Sequence, residues 1–273
     1  MTATQRQIPA SPPALPGIAE QLRREGYARY YAATLSGKPA RARGLHELVA
    51  AFDDLPPDQY AVGSNRFRRY SQLVYLPWFD FLSWVPEAQD PELGSIAGYF
   101  QDGYNPDYRG SRRYFPGLPA AVKDNVLLTE LIRANIDQVL WHEELSHAPI
   151  YVGVHLIKLS VDGPDKIAVS SPNCLHQDGG KTMFTFAHLI TCDNVIGGEN
   201  VIADPACAGR LPAEVPAENI HARFRLSEPM DSYVVHDHRV SHYVSPVSLA
   251  DQGGGVGSRG IIIMGIAPFA PKL

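Results

Sequence analysis

At 273 residues the chain is long enough for one large domain with a sizeable core, or for two small ones. With 45% hydrophobic and 19% charged residues it reads as globular rather than disordered. A formal net charge of -5, from 24 basic and 29 acidic residues with no long basic run, argues against a nucleic-acid or membrane-surface partner. No stretch reaches the roughly 18 apolar residues of a membrane span, and Met1 to Pro16 lacks the apolar segment of a secretory signal. Cys174, Cys192 and Cys207 have no C-x-x-C spacing, so the expectation is a reduced, cytoplasmic protein without a disulfide framework.

In chain order, residues 1–15 are proline-rich and are expected to be a mobile arm. Helical spacing follows over Gly17 to Tyr31, with Gly26 as its stop or break, and over Gly44 to Phe52 before Pro56-Pro57. Ser71 to Leu76 is β-branched and aromatic enough for a strand. Just before it, Arg66, Arg68 and Arg69 read first as a solvated or salt-bridged strand face. The alternative is an arginine that reaches a pocket and holds a substrate carboxylate. Asp102 to Pro119 suggests an irregular packed loop able to act as a lid. Val122 to Trp141 carries the strongest helix signal, with Leu127, Leu128, Leu131, Ile132 and Ile136 in a buried stripe.

The texture changes near residue 148. Strand-like runs YVGVHLIKLSV, KTMFTFAHLIT, ENVIAD, DSYVVHDHR and RGIIIMGIAPF now follow one another, broken by turn residues. Such spacing indicates an α+β chain with a jelly-roll core in its C-terminal half, buttressed by N-terminal helices. No composition break divides the chain, so residues 1–273 are expected to be one domain. Within it, 16–147 would be mainly helical support and 148–270 the β core.

The chemistry is expected at His176-Gln177-Asp178. A histidine and a carboxylate two residues apart on an extended strand share a face. A third ligand would come from His236, His238 and His242, which share parity in one strand-turn region, with His242 the candidate. Two histidines and a carboxylate leave three positions open, as non-haem Fe(II) oxygen chemistry requires. Arg259, opening the last strong strand, offers a fork for a carboxylate. Gly197-Gly198-Glu199 suits a close backbone crossing at a turn.

The order H-x-D, N-x-x-GGE, H-x-V-S-P and a basic residue opening an apolar strand resembles the Fe(II)/2-oxoglutarate dioxygenases. More narrowly, it resembles the bacterial subgroup of isoleucine dioxygenase and related free-amino-acid hydroxylases. The residues that carry the resemblance are Val154-His155, Leu175–Gly179, His188–Ile190, Asn194–Glu199 and His242–Pro246. It covers about residues 150–270 well and is looser before them.

The resemblance implies a double-stranded β-helix that binds Fe(II), 2-oxoglutarate and O2. By its position before V-S-P, His242 completes the metal site with His176 and Asp178, and Arg259 holds the far carboxylate of 2-oxoglutarate. The implied reaction hydroxylates an unactivated C–H of a small free amino acid and releases succinate and CO2. Its carboxylate partner is sought among Arg66, Arg68 and Arg69, and its ammonium partner among Asp102, Asp107 and Glu199. Lys181 is the alternative to Arg259. His155 and His188 read first as satisfied buried histidines, Cys174 as packing, and Glu199 equally as a turn-end carboxylate or a group orienting a ligand. The rival readings are a cupin-like metalloenzyme that does not use 2-oxoglutarate and a jelly-roll binding module. The sequence does not fix the oligomeric state.

Overall fold

The computed structural model describes residues 17–30, 39–100, 111–179, 182–251 and 254–269. The proposed arm at 1–15, Asp102, Asp107 and Lys181 lie outside these residues. Helix α1 (Ile18–Glu25) ends where Gly26 adopts a left-handed conformation and donates its N–H to the Leu22 carbonyl. Helix α2 spans Pro39–Ala51. The helical signal over 122–141 resolves into α3 (Ala120–Lys123) and α4 (Val126–Asp137), parted at Asp124-Asn125. Asn125 is the cause: its side-chain oxygen accepts from Leu128 N–H at 3.0 Å and caps α4 afresh. The expected apolar stripe of α4 is buried, with Asn135 within it. A short α5 (Glu143–Ser146) follows.

Strands β1 (Tyr27–Tyr30), β2 (Arg66–Leu76), β3 (Phe81–Trp84), β4 (Ala88–Asp90), β5 (Gly94–Phe100) and β6 (Arg112–Pro116) lie in the region expected to be mainly helical. Its support is therefore mixed. In β2 the residues on one face include Arg66, Arg68 and Tyr70, so charged groups occupy positions where an apolar alternation would otherwise announce a strand. The C-terminal half contributes β7 (Ile150–Val161), β8 (Phe184–Asp193), β9 (Val195–Gly197), β10 (Glu199–Ala203), β11 (Ile220–Arg225), β12 (Ser232–His236), β13 (Ser241–Val244), β14 (Val247–Leu249) and β15 (Gly257–Pro268).

Seven strands form one antiparallel sheet in the order β1-β12-β8-β15-β7-β2-β3. Smaller sheets β11-β10-β13 and β14-β9 make the opposing layer, and β4-β5-β6 is a separate sheet that packs against β2. This is the open double-layered jelly roll that the C-terminal pattern predicts. One face of the seven-stranded sheet packs on the helices through Phe184, Phe186, Val152, Val154, Ile262 and Met264, joined by Leu128, Ile132 and Ile136 of α4. Side-chain alternation turns Tyr151, Gly153, His155, Thr185, Tyr233 and Ile263 toward a cavity on the other face. Among the described residues no helix is long and apolar enough to cross a membrane.

Candidate metal centre and its cavity

His176 and His242 are brought together by their backbones. They form an isolated antiparallel bridge, with His176 N–H donating to the His242 carbonyl at 2.9 Å and the reverse bond at 2.8 Å. Their side chains emerge on one side, and the two Nε2 atoms stand 3.0 Å apart. Asp178 completes the group, with Oδ1 4.0 Å from His176 Nε2 and Oδ2 3.8 Å from His242 Nε2. This is the one cluster of three or more potential ligand side chains among the described residues.

Neighbours fix each member. His176 Nδ1 donates to the Cys174 carbonyl at 2.9 Å, so the neutral ring keeps its lone pair on Nε2. Thr185 Oγ1 donates to Asp178 Oδ2 at 2.6 Å. Asp237 accepts from the backbone N–H groups of Asp178 and Gly179 at 2.7 and 2.6 Å, anchoring the segment that carries the carboxylate. Burial, and then the Asp178 carboxylate beside it, push the Asp237 carboxyl up to about 8. Burial pushes His242 down to about 4, with His176 acting in the same direction and Asp178 opposing.

Arg259 is buried on β15, and its Nε and Nη2 have no hydrogen-bond partner among the described residues. Gly198 leaves room for it: a Cβ there would meet the Arg259 Cδ and Nε at 3.0 Å, and its φ of +68° suits glycine. Gly197 crosses still closer, since a Cβ would lie 2.1 Å from the Pro246 carbonyl oxygen. The close crossing expected of Gly197-Gly198 is therefore present. Arg259 does not itself line the main cavity, but its charge acts on Tyr233, which does.

That cavity, about 650 Å³, runs from the His–Asp–His group to a wall formed by β2, β5 and β6. Arg66 and Arg68 are buried in it rather than solvated, and Asp58 pairs with them at 3.0 and 3.9 Å. Arg69, on the other side of β2, donates to the Gly117 carbonyl. Arg113 of β6 joins the wall, and the Arg68 guanidinium lies 4.0 Å from the Phe115 ring centroid and 5.1 Å from that of Tyr99.

A family model described as 2OG-Fe dioxygenase matches residues 49–265. The chain belongs to this family. A curated relative, 3(1)-hydroxy-L-isoleucine 4-dioxygenase of Pantoea ananatis (strain AJ13355), is 29% identical over 90% of this chain and 93% of its own. The crystal structure of IDO from Bacillus thuringiensis superposes with a TM-score of 0.74 at 17% identity, covering 94% of this chain and 100% of that one. A bsmA homolog from Methylobium petroleophilum PM1 gives 0.74 at 19% identity, covering 96% and 97%. At these identities the two structures speak for a shared fold.

The 2OG-Fe dioxygenases use Fe(II), 2-oxoglutarate and O2, and the residues present fit both groups. Cis donors about 2.1 Å from an octahedral ion stand about 3.0 Å apart, the separation of the two Nε2 atoms, with the carboxylate slightly further off. Imidazole lone pairs and a carboxylate converging in a buried site call for a cation between them. The two Arg259 nitrogens without partners among the described residues likewise call for an anion.

Other residues singled out in the sequence divide between the site and its surroundings. His155 lines the cavity. His188 lies on the helix-facing side, its Nε2 accepting from Asn135 and its Nδ1 donating to Ser232 Oγ, which itself donates to the Met230 carbonyl. His236 also turns away from the cavity, against Phe184 and His142, while His238 is exposed. Glu199 is paired with Arg223 at 3.1 Å and is not a cavity residue. Sequence reasoning missed Asp237, Thr185, Tyr233 and Arg113. For Asp237 a signal was present: it shares parity with Tyr233 and Val235 and stands between His236 and His238 in the sequence, just past the end of β12.

Proposed function

We propose that this protein is an Fe(II)- and 2-oxoglutarate-dependent hydroxylase of a small free amino acid, with His176, Asp178 and His242 as metal ligands and Arg259 as the cosubstrate anchor. The observation that carries the site assignment is the convergence of the three donors, together with a buried arginine on β15 whose Nε and Nη2 lack partners among the described residues. When bound, the iron and 2-oxoglutarate supply oxidative decarboxylation coupled to hydroxyl transfer, yielding succinate and CO2. The chain's own residues do the rest. The Cys174 carbonyl keeps the His176 ring in the ligating tautomer, and Thr185 holds one Asp178 oxygen. Arg259 offers parallel N–H donors to the far carboxylate, orienting the cosubstrate from its unreactive end. The walls formed by Tyr151, Tyr233, Ile263 and Tyr99 keep water from the reacting C–H.

An amino-acid substrate is supported by the relative that acts on a hydroxy-isoleucine and by the cavity's size and chemistry. A volume of about 650 Å³ lined by aromatic groups and a few arginines suits a small acid better than a polymer. The test is succinate release by the Fe(II)-loaded protein with 2-oxoglutarate and a panel of free amino acids, followed by mass spectrometry. Stimulation with a gain of one oxygen on a panel member is the expected result. Oxygen gain only on a peptide or carrier-bound aminoacyl group would overturn the substrate assignment.

A further inference from the structure

The arginine wall contains one histidine whose hydrogen bonding fixes what it offers the cavity. His155, on β7, is 5% exposed and sits in the cavity lining, its ring stacked on Tyr70 with centroids 4.2 Å apart. Its Nδ1 lies 2.8 Å from Nη2 of Arg68. An arginine can only donate, so Nδ1 must accept, and the neutral ring must carry its proton on Nε2. Protonating Nδ1 would set two donors face to face. Burial, and then the charges of Arg68, Arg113 and Arg66, hold His155 well below the usual histidine range. Among the described residues the hydrogen bond of the His155 ring is the one at Nδ1, which leaves Nε2–H to the cavity; Arg68 Nε has no partner among them.

We infer that His155 Nε2–H and the Arg68 guanidinium form a paired donor site for the free carboxylate of the substrate, making His155 a specificity-determining residue. This deepens, and rests on, the amino-acid reading above. The pair combines a full positive charge with a neutral donor of fixed direction. Phe115 and Tyr99 hold the guanidinium plane, and Tyr70 holds the imidazole plane. Such a site accepts a carboxylate's two oxygens and penalises a carboxamide, whose NH2 would face donors with a donor. It therefore selects a free acid over an amide or a carrier-bound acyl group. Position agrees as well: Arg68 and His155 line the same cavity as His176, Asp178 and His242, so an acid end held here leaves the side chain facing the three donors.

The test uses the protein loaded with Zn(II) in place of Fe(II), and with 2-oxoglutarate, so that binding is read without turnover. In 15N-histidine NMR spectra His155 is expected as the Nε2-protonated neutral tautomer, its Nε2 signal moving on addition of L-isoleucine and not of L-isoleucinamide. An Nδ1-protonated ring overturns the inference. By calorimetry the wild type should prefer L-isoleucine to L-isoleucinamide. His155→Leu should weaken the acid by about tenfold or more, the scale of one charge-assisted bond, with the amide little changed. His155→Gln, which keeps an N–H donor, should recover part of the loss, and 2-oxoglutarate affinity should stay constant. An acid preference that persists in His155→Leu overturns this inference alone, as does a loss of 2-oxoglutarate affinity in place of L-isoleucine affinity. If L-isoleucine does not bind, the same comparison is made with the panel member that does and its amide; failure of the wild type to bind any panel member overturns the amino-acid reading, and this assignment with it.

Discussion

Along β7, Ile150, Val152, Val154 and Leu156 meet the helices, while Tyr151, Gly153, His155 and Ile157 meet the cavity side. The first face is a continuous apolar surface, packed to full burial against α2 and α4. Along the cavity, the second face mixes glycines, a threonine, aromatic groups and buried charge. Gly153 shows why the glycines are there: a Cβ would come within 3.1 Å of both the Tyr70 and Tyr151 hydroxyls. One face is thus optimised for burial, and the other leaves polar groups buried with open valences. Fold stability is concentrated on the first and ligand affinity on the second, so substitutions should separate them.

The largest expected effect is on the cavity side. His176→Ala, Asp178→Ala or His242→Ala should abolish succinate formation, because a three-ligand site loses its geometry with one donor. His236→Ala, from the opposite face of its strand, should leave turnover near wild type. An active His242→Ala protein beside an inactive His236→Ala one would reverse the assignment. Arg259→Ala should weaken 2-oxoglutarate binding by about 2–5 kcal/mol, with Arg259→Lys recovering only part. The dependence of succinate release on cosubstrate concentration reads this directly. On the helix side, Ile132→Ala should cost about 2–5 kcal/mol of stability in urea titrations and leave the KM for 2-oxoglutarate unchanged.

The smallest effect sharpens the comparison, because it concerns the one histidine on the helix side that is fully satisfied. Burial lowers His188 to about 3, so the folded protein keeps it neutral while the unfolded chain takes up a proton below about 6.5. Its contribution is fully present above that value and is lost as the pH falls toward 3, at about 1.4 kcal/mol per pH unit at most. His188→Gln should remove this component of the acid sensitivity. Urea midpoints of the wild type and the variant at pH 7 and pH 5 would show it as a smaller fall in the variant.

The proposed metal ligands were legible because the chemistry confines them to few residue types and H-x-D needs only strand parity to share a face. His176, Asp178 and His242 do converge, with His242 brought to the pair by the backbone bridge to His176. The strands of the C-terminal half were legible from their apolar runs, although β9, β11, β13 and β14 are too short or too polar to stand out. The arginine wall was legible only as an alternative reading of Arg66, Arg68 and Arg69. Arg66 and Arg68 look like surface charge until β5 and β6, some 30 to 50 residues further on, cover them. Which face of a strand is covered is a property of the tertiary fold, and no local pattern carries it. The break at Asn125 was hidden for a related reason: apolar periodicity continues across it, while the cap depends on a single side-chain hydrogen bond.

The position of β15 has a consequence for synthesis. It is the last strand among the described residues, yet it lies between β8 and β7 near the middle of the sheet. A growing chain can make the β2–β7 pair and the β1–β12–β8 group early, but these remain two separate pieces until residues 257–268 arrive to join them. Until then, β7 and β8 each present an unpaired edge, and their apolar faces lack a shared platform for the helices. A ribosome stall or a premature stop before Gly257 would release a product with two sticky edges. The hazard of edge-to-edge association is therefore greatest in an unfinished chain.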